Sequence, residues 1–258
     1  MKLPTLTKFH TLTALSFLLA SFHPFFLAQA QDWKFSASPY AWLAGIEGDI
    51  TTRGRTLSVD RDFSDIIENT DFGALGRFEA TNDSIILTTD LTYIDLGSEA
   101  GIPKTDQKLD VDMKQTILEL GGGYHLGTFG LGNWTKTRLH TDLLAGARYF
   151  NADTTIEGPL GRDPELNLSY WEPYIGPRLN FIFNDHWVGL FRTDIGGWGW
   201  DDAPDFSWQL TTGVQYRYSE ALAFELGYKF LNIYDLKREG VTADMQMTGL
   251  ALGTTFSF

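Results

Sequence analysis

The chain has 258 residues, of which 43% are hydrophobic and 21% charged, and it contains no cysteine. This composition excludes a disordered acidic chain and a collagen-like or coiled-coil rod. The net charge of −13 has the wrong sign for a protein that must neutralise phosphates, so no nucleic-acid partner is expected.

Residues 1–30 have the features of a secretory signal peptide. Two lysines precede an apolar stretch at 12–20, and Ala28 and Ala30 form the small-x-small pattern that a signal peptidase cleaves. The apolar stretch is too short to span a membrane as a helix. We therefore predict cleavage after Ala30 and a single mature domain of residues 31–258.

Large apolar residues alternate with small, polar or charged ones along the mature chain. Leu250, Leu252, Phe256 and Phe258 share one parity, and 222–230 shows the same alternation. A period of two indicates strands with one apolar face. These segments have about a dozen residues, twice the usual strand length in soluble sandwiches and enough to cross a bilayer. The pattern predicts a transmembrane β-barrel, which must close because lipid cannot satisfy an open strand edge.

The turn signals alternate between short and long connections, as in barrels with short periplasmic turns and long outer loops. The predicted fold is all-β, a closed antiparallel barrel of ten strands with both ends in the periplasm. The count falls to eight without the glycine-rich 72–82 hairpin, and rises to twelve if 47–62 pairs with itself. The strands are predicted at 34–46, 72–82, 84–96, 113–127, 136–151, 168–183, 186–200, 205–218, 221–236 and 245–258.

The long connections carry most of the acid excess. In the first, Phe63 to Asn69 lacks alternation and favours a short helix. Carboxylate-rich loops can bind divalent cations, which are candidate ligands here, although solvation alone explains the same acids. The acids are Glu47, Asp49, Asp60, Asp62, Asp65, Glu68 and Asp71 in the first loop and Asp201, Asp202 and Asp205 in the fourth.

Charged residues occupy the parity opposite to the apolar one and are predicted to face the lumen. The predicted inward charges are Lys34, Arg77, Glu79, Asp90, Glu119, Arg138, Asp142, Arg148, Glu172, Arg178, Arg192, Asp194, Arg217, Glu225 and Lys229. The interior of so narrow a barrel is filled by side chains, and buried charges must pair. We predict an ion-paired, closed lumen; the alternative is a narrow pore lined by the same charges.

Three polar residues near one short turn are the best candidates for catalysis. His140 and Asp142 share a parity on one strand, which puts their side chains about 7 Å apart, and His125 lies across the hairpin. Such a group can act as an acid/base pair or bind a metal. The turn places it near the periplasmic end, and no nucleophile is expected beside it. We therefore predict no catalytic residue, metal site or cofactor, and no enzyme.

The C-terminal pattern of Leu250, Leu252, Phe256 and Phe258 resembles the signal by which the barrel-assembly machinery recognises Gram-negative outer-membrane barrels. The whole mature chain resembles small barrels of the OmpA-like and OmpW-like superfamily. The likeness is greatest to an uncharacterised subgroup that carries segments like 62–69, 146–149, 194–199 and 227–229. The resemblance implies the outer membrane as compartment, with membrane lipid and lipopolysaccharide as partners.

Together these features predict an outer-membrane β-barrel with a structural or interaction role, acidic extracellular loops and an ion-paired lumen. A narrow porin-like channel for small solutes is the alternative hypothesis. An outer-membrane hydrolase is a more distant one.

Overall fold

The computed structural model describes residues 33–52, 55–61, 64, 70–101, 108–132, 136–157, 165–200, 202–238 and 241–258. Within this part of the chain, no helix is long and apolar enough to span a membrane. The strands are β1 (Lys34–Thr52), β2 (Arg55–Arg61), β3 (Thr70–Thr81), β4 (Ile85–Gly101), β5 (Lys108–Gly130), β6 (Arg138–Glu157), β7 (Glu165–Ile182), β8 (Trp187–Gly197), β9 (Phe206–Arg217), β10 (Leu222–Arg238) and β11 (Val241–Ser257).

The strands form a closed antiparallel barrel. From β3 to β11 each strand pairs with the next, β11 pairs with β1, and Lys34–Pro39 of β1 pairs with Gly76–Thr81 of β3. Ten strands therefore surround the axis, which confirms the predicted fold class. The eleventh strand, β2, pairs only with the Ile46–Thr52 end of β1. Pairing within 47–62 thus extends β1 into a hairpin and leaves the barrel at ten strands.

The two ends of the barrel differ in how well the sequence predicts them. At the end with short turns, which we assign to the periplasm, strand bounds fall within a few residues of the predicted ones. At the opposite, extracellular end, several predicted loops are strand. The reason is that the apolar alternation stops where lipid stops, whereas backbone pairing continues into water. Apart from Ser64, the helix predicted at 63–69 lies outside the described residues.

The outward face of the barrel is apolar, as the alternation predicts. Leu226, Leu250 and Leu252 are each about half exposed on this face. Exposed aromatic residues gather at both ends, which is typical of the girdles at the two membrane interfaces. They include Tyr124, Phe129, Phe183, Trp187, Tyr218 and Phe258 at the periplasmic end and Phe72, Trp171, Trp198, Trp200 and Phe206 at the extracellular end.

The interior has two layers, of which the sequence predicted one. Its middle and periplasmic half hold the charged side chains. Its extracellular half holds a cluster of buried apolar residues, which we call the apolar layer: Trp42, Ala44, Ile117, Phe150, Ala152, Tyr170, Ala203, Leu231, Ile233, Leu236 and Met247. The expectation of a polar interior is therefore wrong for this half. Apart from Ala203, which lies between strands, and Leu236, which follows a register shift in β10, these positions share the parity of the charges, so alternation alone cannot separate the two layers.

Candidate functional site

A buried ion-pair network lies at the centre of the barrel, around Arg148. Its Nε lies 3.1 Å from Glu119 Oε1, its Nη1 2.7 Å from Glu172 Oε1, and its Nη2 2.6 Å from Asp194 Oδ1. Strand register explains the arrangement, because Arg148 on β6 is directly opposite Glu119 on β5 and Glu172 on β7. The Arg148 side chain has no exposed surface, so the three carboxylates compensate its charge within the protein.

A second guanidinium joins this network from β8. Arg192 Nη2 donates to Glu119 Oε2 at 2.7 Å and to Asp194 Oδ2 at 3.1 Å. The Tyr174 ring lies beside both cations, with its centroid 5.3 Å from Arg148 Cζ and 5.4 Å from Arg192 Cζ. Cation–π contacts of this kind are stronger away from water. These five residues, with Glu172, link four neighbouring strands.

Glycines make room for the Tyr174 side chain. A Cβ atom on Gly121 or Gly146 would collide with the Tyr174 hydroxyl, so the ring can lie across β5 and β6 only where those strands lack side chains. The run at 121–123 therefore permits close packing, as glycine within a strand often does.

Two further ion-pair groups lie toward the periplasmic end. Arg77 Nη2 contacts both oxygens of Glu225, at 3.1 and 3.0 Å. Arg178 Nε donates to Asp142 Oδ2 at 2.9 Å, and its Nη1 contacts Glu79. These groups are partly exposed, so water screens them more than it screens the central network.

Lys229 has a looser environment than the arginines. Its Nζ lies 3.8 Å from Asp90 Oδ1 and 3.4 Å from the Tyr40 hydroxyl, which itself donates to Asp90 at 2.6 Å. The Trp42 ring lies 4.9 Å from the ammonium. Lys229 therefore lies at the boundary between the charged interior and the apolar layer.

Three predicted lumen charges do not join the network. Lys34, Arg138 and Arg217 are exposed, and within the described residues none forms an ion pair. Each is the first or last residue of its strand at the periplasmic end. Their parity is inward, but their side chains reach water at the mouth of the barrel, and they need no carboxylate partner there.

The polar group near the short turn is arranged differently from the sequence-based hypothesis. Asp142 Oδ1 lies 2.8 Å from His125 Nδ1, and His125 Nε2 lies 3.1 Å from the Thr128 hydroxyl. His140 contacts the His125 ring, at 5.0 Å between centroids, instead of forming the predicted pair with Asp142. Directly opposite residues on paired strands lie closer than alternate residues on one strand, and His125 is directly opposite Asp142. Among the described residues, no three potential ligands converge as a metal site.

A cavity of about 230 Å³ lies in the periplasmic half of the barrel. Ser38, Arg77, Glu79 and Gln215 line it, and Arg192 and Lys229 border it toward the centre. Beyond it, toward the extracellular end, the apolar layer is tightly packed: Phe150, Leu231, Ile233 and Met247 are each at most 1% exposed. Side chains so inaccessible to solvent do not line a water-filled channel.

A closed antiparallel barrel with an apolar exterior, two aromatic girdles and a charged interior defines a class. The molecule is a transmembrane β-barrel of the outer-membrane type, and its place is the outer membrane.

Neither a family model nor a curated protein matches the sequence. Solved structures similar to this chain include the following three. Ail of Yersinia pestis, the attachment invasion locus protein, is 11% identical with a TM-score of 0.38, covering 88% of this chain and 99% of that one. The Escherichia coli outer-membrane protease OmpT is 11% identical with a TM-score of 0.45, and the match covers 88% of this chain and 97% of that one. The translocator domain of the Neisseria meningitidis autotransporter NalP is 12% identical with a TM-score of 0.43, and the match covers 95% of this chain and 92% of that one. The barrel's own closure and exterior, not these likenesses, define its class.

Proposed function

We propose that this outer-membrane barrel is non-conducting and has a structural or interaction role. The observation that supports this is the filled interior. Arg148 and its three carboxylates occupy the centre, and the apolar layer lies between them and the extracellular end. A side-chain core of this kind gives a rigid support, because each layer ties several strands together.

The extracellular extension is the surface on which this role would be carried out. β5 has 23 residues and β6 has 20, about twice what a tilted strand needs to cross a bilayer. The paired sheet therefore continues beyond the membrane and presents acidic side chains such as Asp49 and Asp205. We expect lipopolysaccharide as a partner, with divalent cations bridging these acids to its phosphates. Asp49 already accepts a hydrogen bond from Ser58, and Asp205 from Lys237.

Planar-bilayer recording tests whether the interior is closed. We expect purified protein to give no discrete conductance steps. A variant with the apolar layer cut back, Trp42→Ala with Phe150→Ala, is expected to conduct, because the two large side chains fill the extracellular half. Trp171→Ala, which removes an outward aromatic residue, is the matched control and should remain silent.

A narrow channel is the second candidate, and the periplasmic cavity supports it. Arg77, Arg178 and Arg192 line this cavity, as pore-lining charges would. If wild-type protein conducts, and Arg178→Ala or Arg192→Ala changes the size of the steps, the channel replaces the closed barrel as the function. Conductance steps of the same size in wild-type protein and in both variants would contradict an ion path along these charges.

The C-terminal strand is proposed to carry the signal for the barrel-assembly machinery. Leu250, Leu252 and Phe256 face outward about half exposed, and Phe258 stacks on Phe35 at 6.1 Å. Phe258→Ala combined with Phe256→Ala is expected to lower the fraction of heat-modifiable, folded barrel in cells. Ser257→Ala lies on the opposite parity and serves as control. Equal folded fractions in both variants would contradict a signal at these positions.

A further inference from the structure

The central network holds one more carboxylate than guanidinium. Glu119, Glu172 and Asp194 face Arg148 and Arg192, and the three carboxylates are at most 3% exposed. An uncompensated charge at such a depth costs several kcal/mol. A positive charge that none of these five side chains supplies must therefore accompany them.

The other inward cations do not supply this charge. Arg77 is paired with Glu225, and Lys229 has Asp90 as its nearest carboxylate. Arg178 already faces two carboxylates of its own, and His125 contacts one of them, Asp142. The central network thus keeps one more negative than positive charge.

The same region contains oxygen atoms without hydrogen-bond partners. Glu172 Oε1 accepts from Arg148, but within the described part of the chain Glu172 Oε2 is buried with no partner, as are Ser207 Oγ, Gln209 Oε1 and the Tyr170 hydroxyl. The Ser207 hydroxyl lies close to the Glu172 carboxylate without forming a hydrogen bond to it. Buried polar groups in native proteins are seldom left unsatisfied, so these oxygens are suited to sharing one ligand.

Strand register brings these atoms to one part of the wall. Ser207 on β9 is directly opposite Gly196 on β8, and Gln209 is directly opposite Asp194. A Cβ atom on Gly196 would lie 3.0 Å from Ser207 Oγ and 3.4 Å from Tyr174 Cβ. The same Cβ would lie 2.7 Å from the backbone oxygen of Pro173, so Ser207 Oγ packs closely against the inner surface of the wall between β7 and β9.

We propose that Glu172 Oε2, Ser207 Oγ and Gln209 Oε1 bind one monovalent cation such as Na⁺. Carboxylate, hydroxyl and amide oxygens are hard donors, which suit hard cations. A single positive charge balances the network. A proton on Glu172 would also balance the charge of the network. A proton, however, bridges only two oxygen atoms, whereas a cation is coordinated by several oxygen atoms at once.

Thermal unfolding of the purified barrel in detergent tests the site. The melting temperature is measured in NaCl and in equal concentrations of N-methyl-D-glucamine chloride, whose cation is too large to be coordinated by these buried oxygens. Wild-type protein should melt about 3 to 6 °C higher for each tenfold rise in Na⁺ above the dissociation constant. Glu172→Gln keeps the side-chain shape and removes the charge. It should therefore abolish the difference in melting temperature between the two salts.

Glu225→Gln is the matched control, because both Glu225 oxygens have partners. It should retain the Na⁺ dependence, and loss of the dependence there would overturn the proposal, because the effect would then not be specific to Glu172. If Glu172→Gln does not assemble, Ser207→Ala keeps the charge and removes one ligand, and it should weaken the apparent Na⁺ affinity about tenfold. Unchanged affinity in that variant, or equal melting of wild-type protein in both salts, overturns the proposal.

Discussion

Arg148 shows how one side chain can organise a barrel interior. Each of its three guanidinium nitrogens contacts a carboxylate on a different strand. Lysine could not replace it, because an ammonium lacks the planar fork that reaches several acceptors in fixed directions. The buried charge of Arg148 therefore adds little net stability. Its main effect is to determine which strands lie together.

Removing Arg148 should destabilise the barrel strongly. Arg148→Ala leaves three buried carboxylates without their cation and is expected to lower the free energy of unfolding by about 3 to 5 kcal/mol. Urea unfolding in detergent measures this. Arg217→Ala, at the exposed periplasmic mouth, should change the unfolding midpoint little, and equal midpoints for the two variants would contradict the central role of Arg148.

Gly146 is a second residue at which close neighbours leave no room for a larger side chain. Its Cβ in an alanine variant would collide with the backbone oxygen of Leu120 and would lie 2.7 Å from Gly121 Cα and 2.8 Å from the Tyr174 hydroxyl. Gly146→Ala should therefore cost about 1 to 3 kcal/mol of unfolding free energy through overpacking. Gly130→Ala, where nothing lies within 4 Å, is the control for the same urea experiment. A similar loss in both variants would mean that Tyr174 packing is not the cause.

At the scale of the strand, the outward face is what holds the protein in lipid. Leu226 is the fifth residue of β10 from its periplasmic end, near the middle of the apolar band, and half of its surface is exposed. Leu226→Arg places a charge in the hydrocarbon and should cost about 2 to 4 kcal/mol. Tyr218→Arg, at the periplasmic end of β9, should cost about 0 to 1 kcal/mol. Both are measured by the folded fraction after refolding into vesicles, and equal yields would indicate inverted faces.

The extracellular halves of the strands follow a different rule from the membrane halves. β8 and β9 have 11 and 12 residues, close to the length of a crossing, whereas β1 has 19 and β5 has 23. The rim is therefore uneven, low at β3, β8 and β9 and higher at the other strands of the barrel. Where strands extend beyond the membrane, their polar residues form the same backbone hydrogen bonds as the residues within the membrane. Because these residues face water, lipid does not impose an apolar alternation on them.

At the scale of the whole molecule, closure depends on the first and last strands. β11 pairs with β1 along nearly its entire length, whereas β3 pairs with β1 only through Lys34–Pro39. The backbone of Phe258 also exchanges two hydrogen bonds with Phe35, at 2.9 and 3.0 Å. Because the residues that close the barrel come last in the chain, closure must follow synthesis of the whole domain.

The exterior as a whole predicts how the protein behaves on extraction. Its exposed leucines and aromatic residues form a continuous apolar band, which would aggregate in water. The protein should remain in the membrane pellet after alkaline carbonate and enter solution only with detergent. A monodisperse particle in buffer without detergent would contradict the membrane placement.

Local pattern determined the strand positions, the two faces and the periplasmic strand ends, because side chains alternate with a period of two wherever a strand faces lipid on one side. It also placed Arg148 and Glu172 in the interior. The tertiary structure alone decided the ion pairs, such as Arg178 with Glu79, 99 positions away, and the pairing of Asp142 with His125 instead of His140. It also decided the apolar layer, and it confirmed the predicted ten strands against the alternatives of eight and twelve. These features depend on register and closure, which bring together residues that no local window of sequence contains.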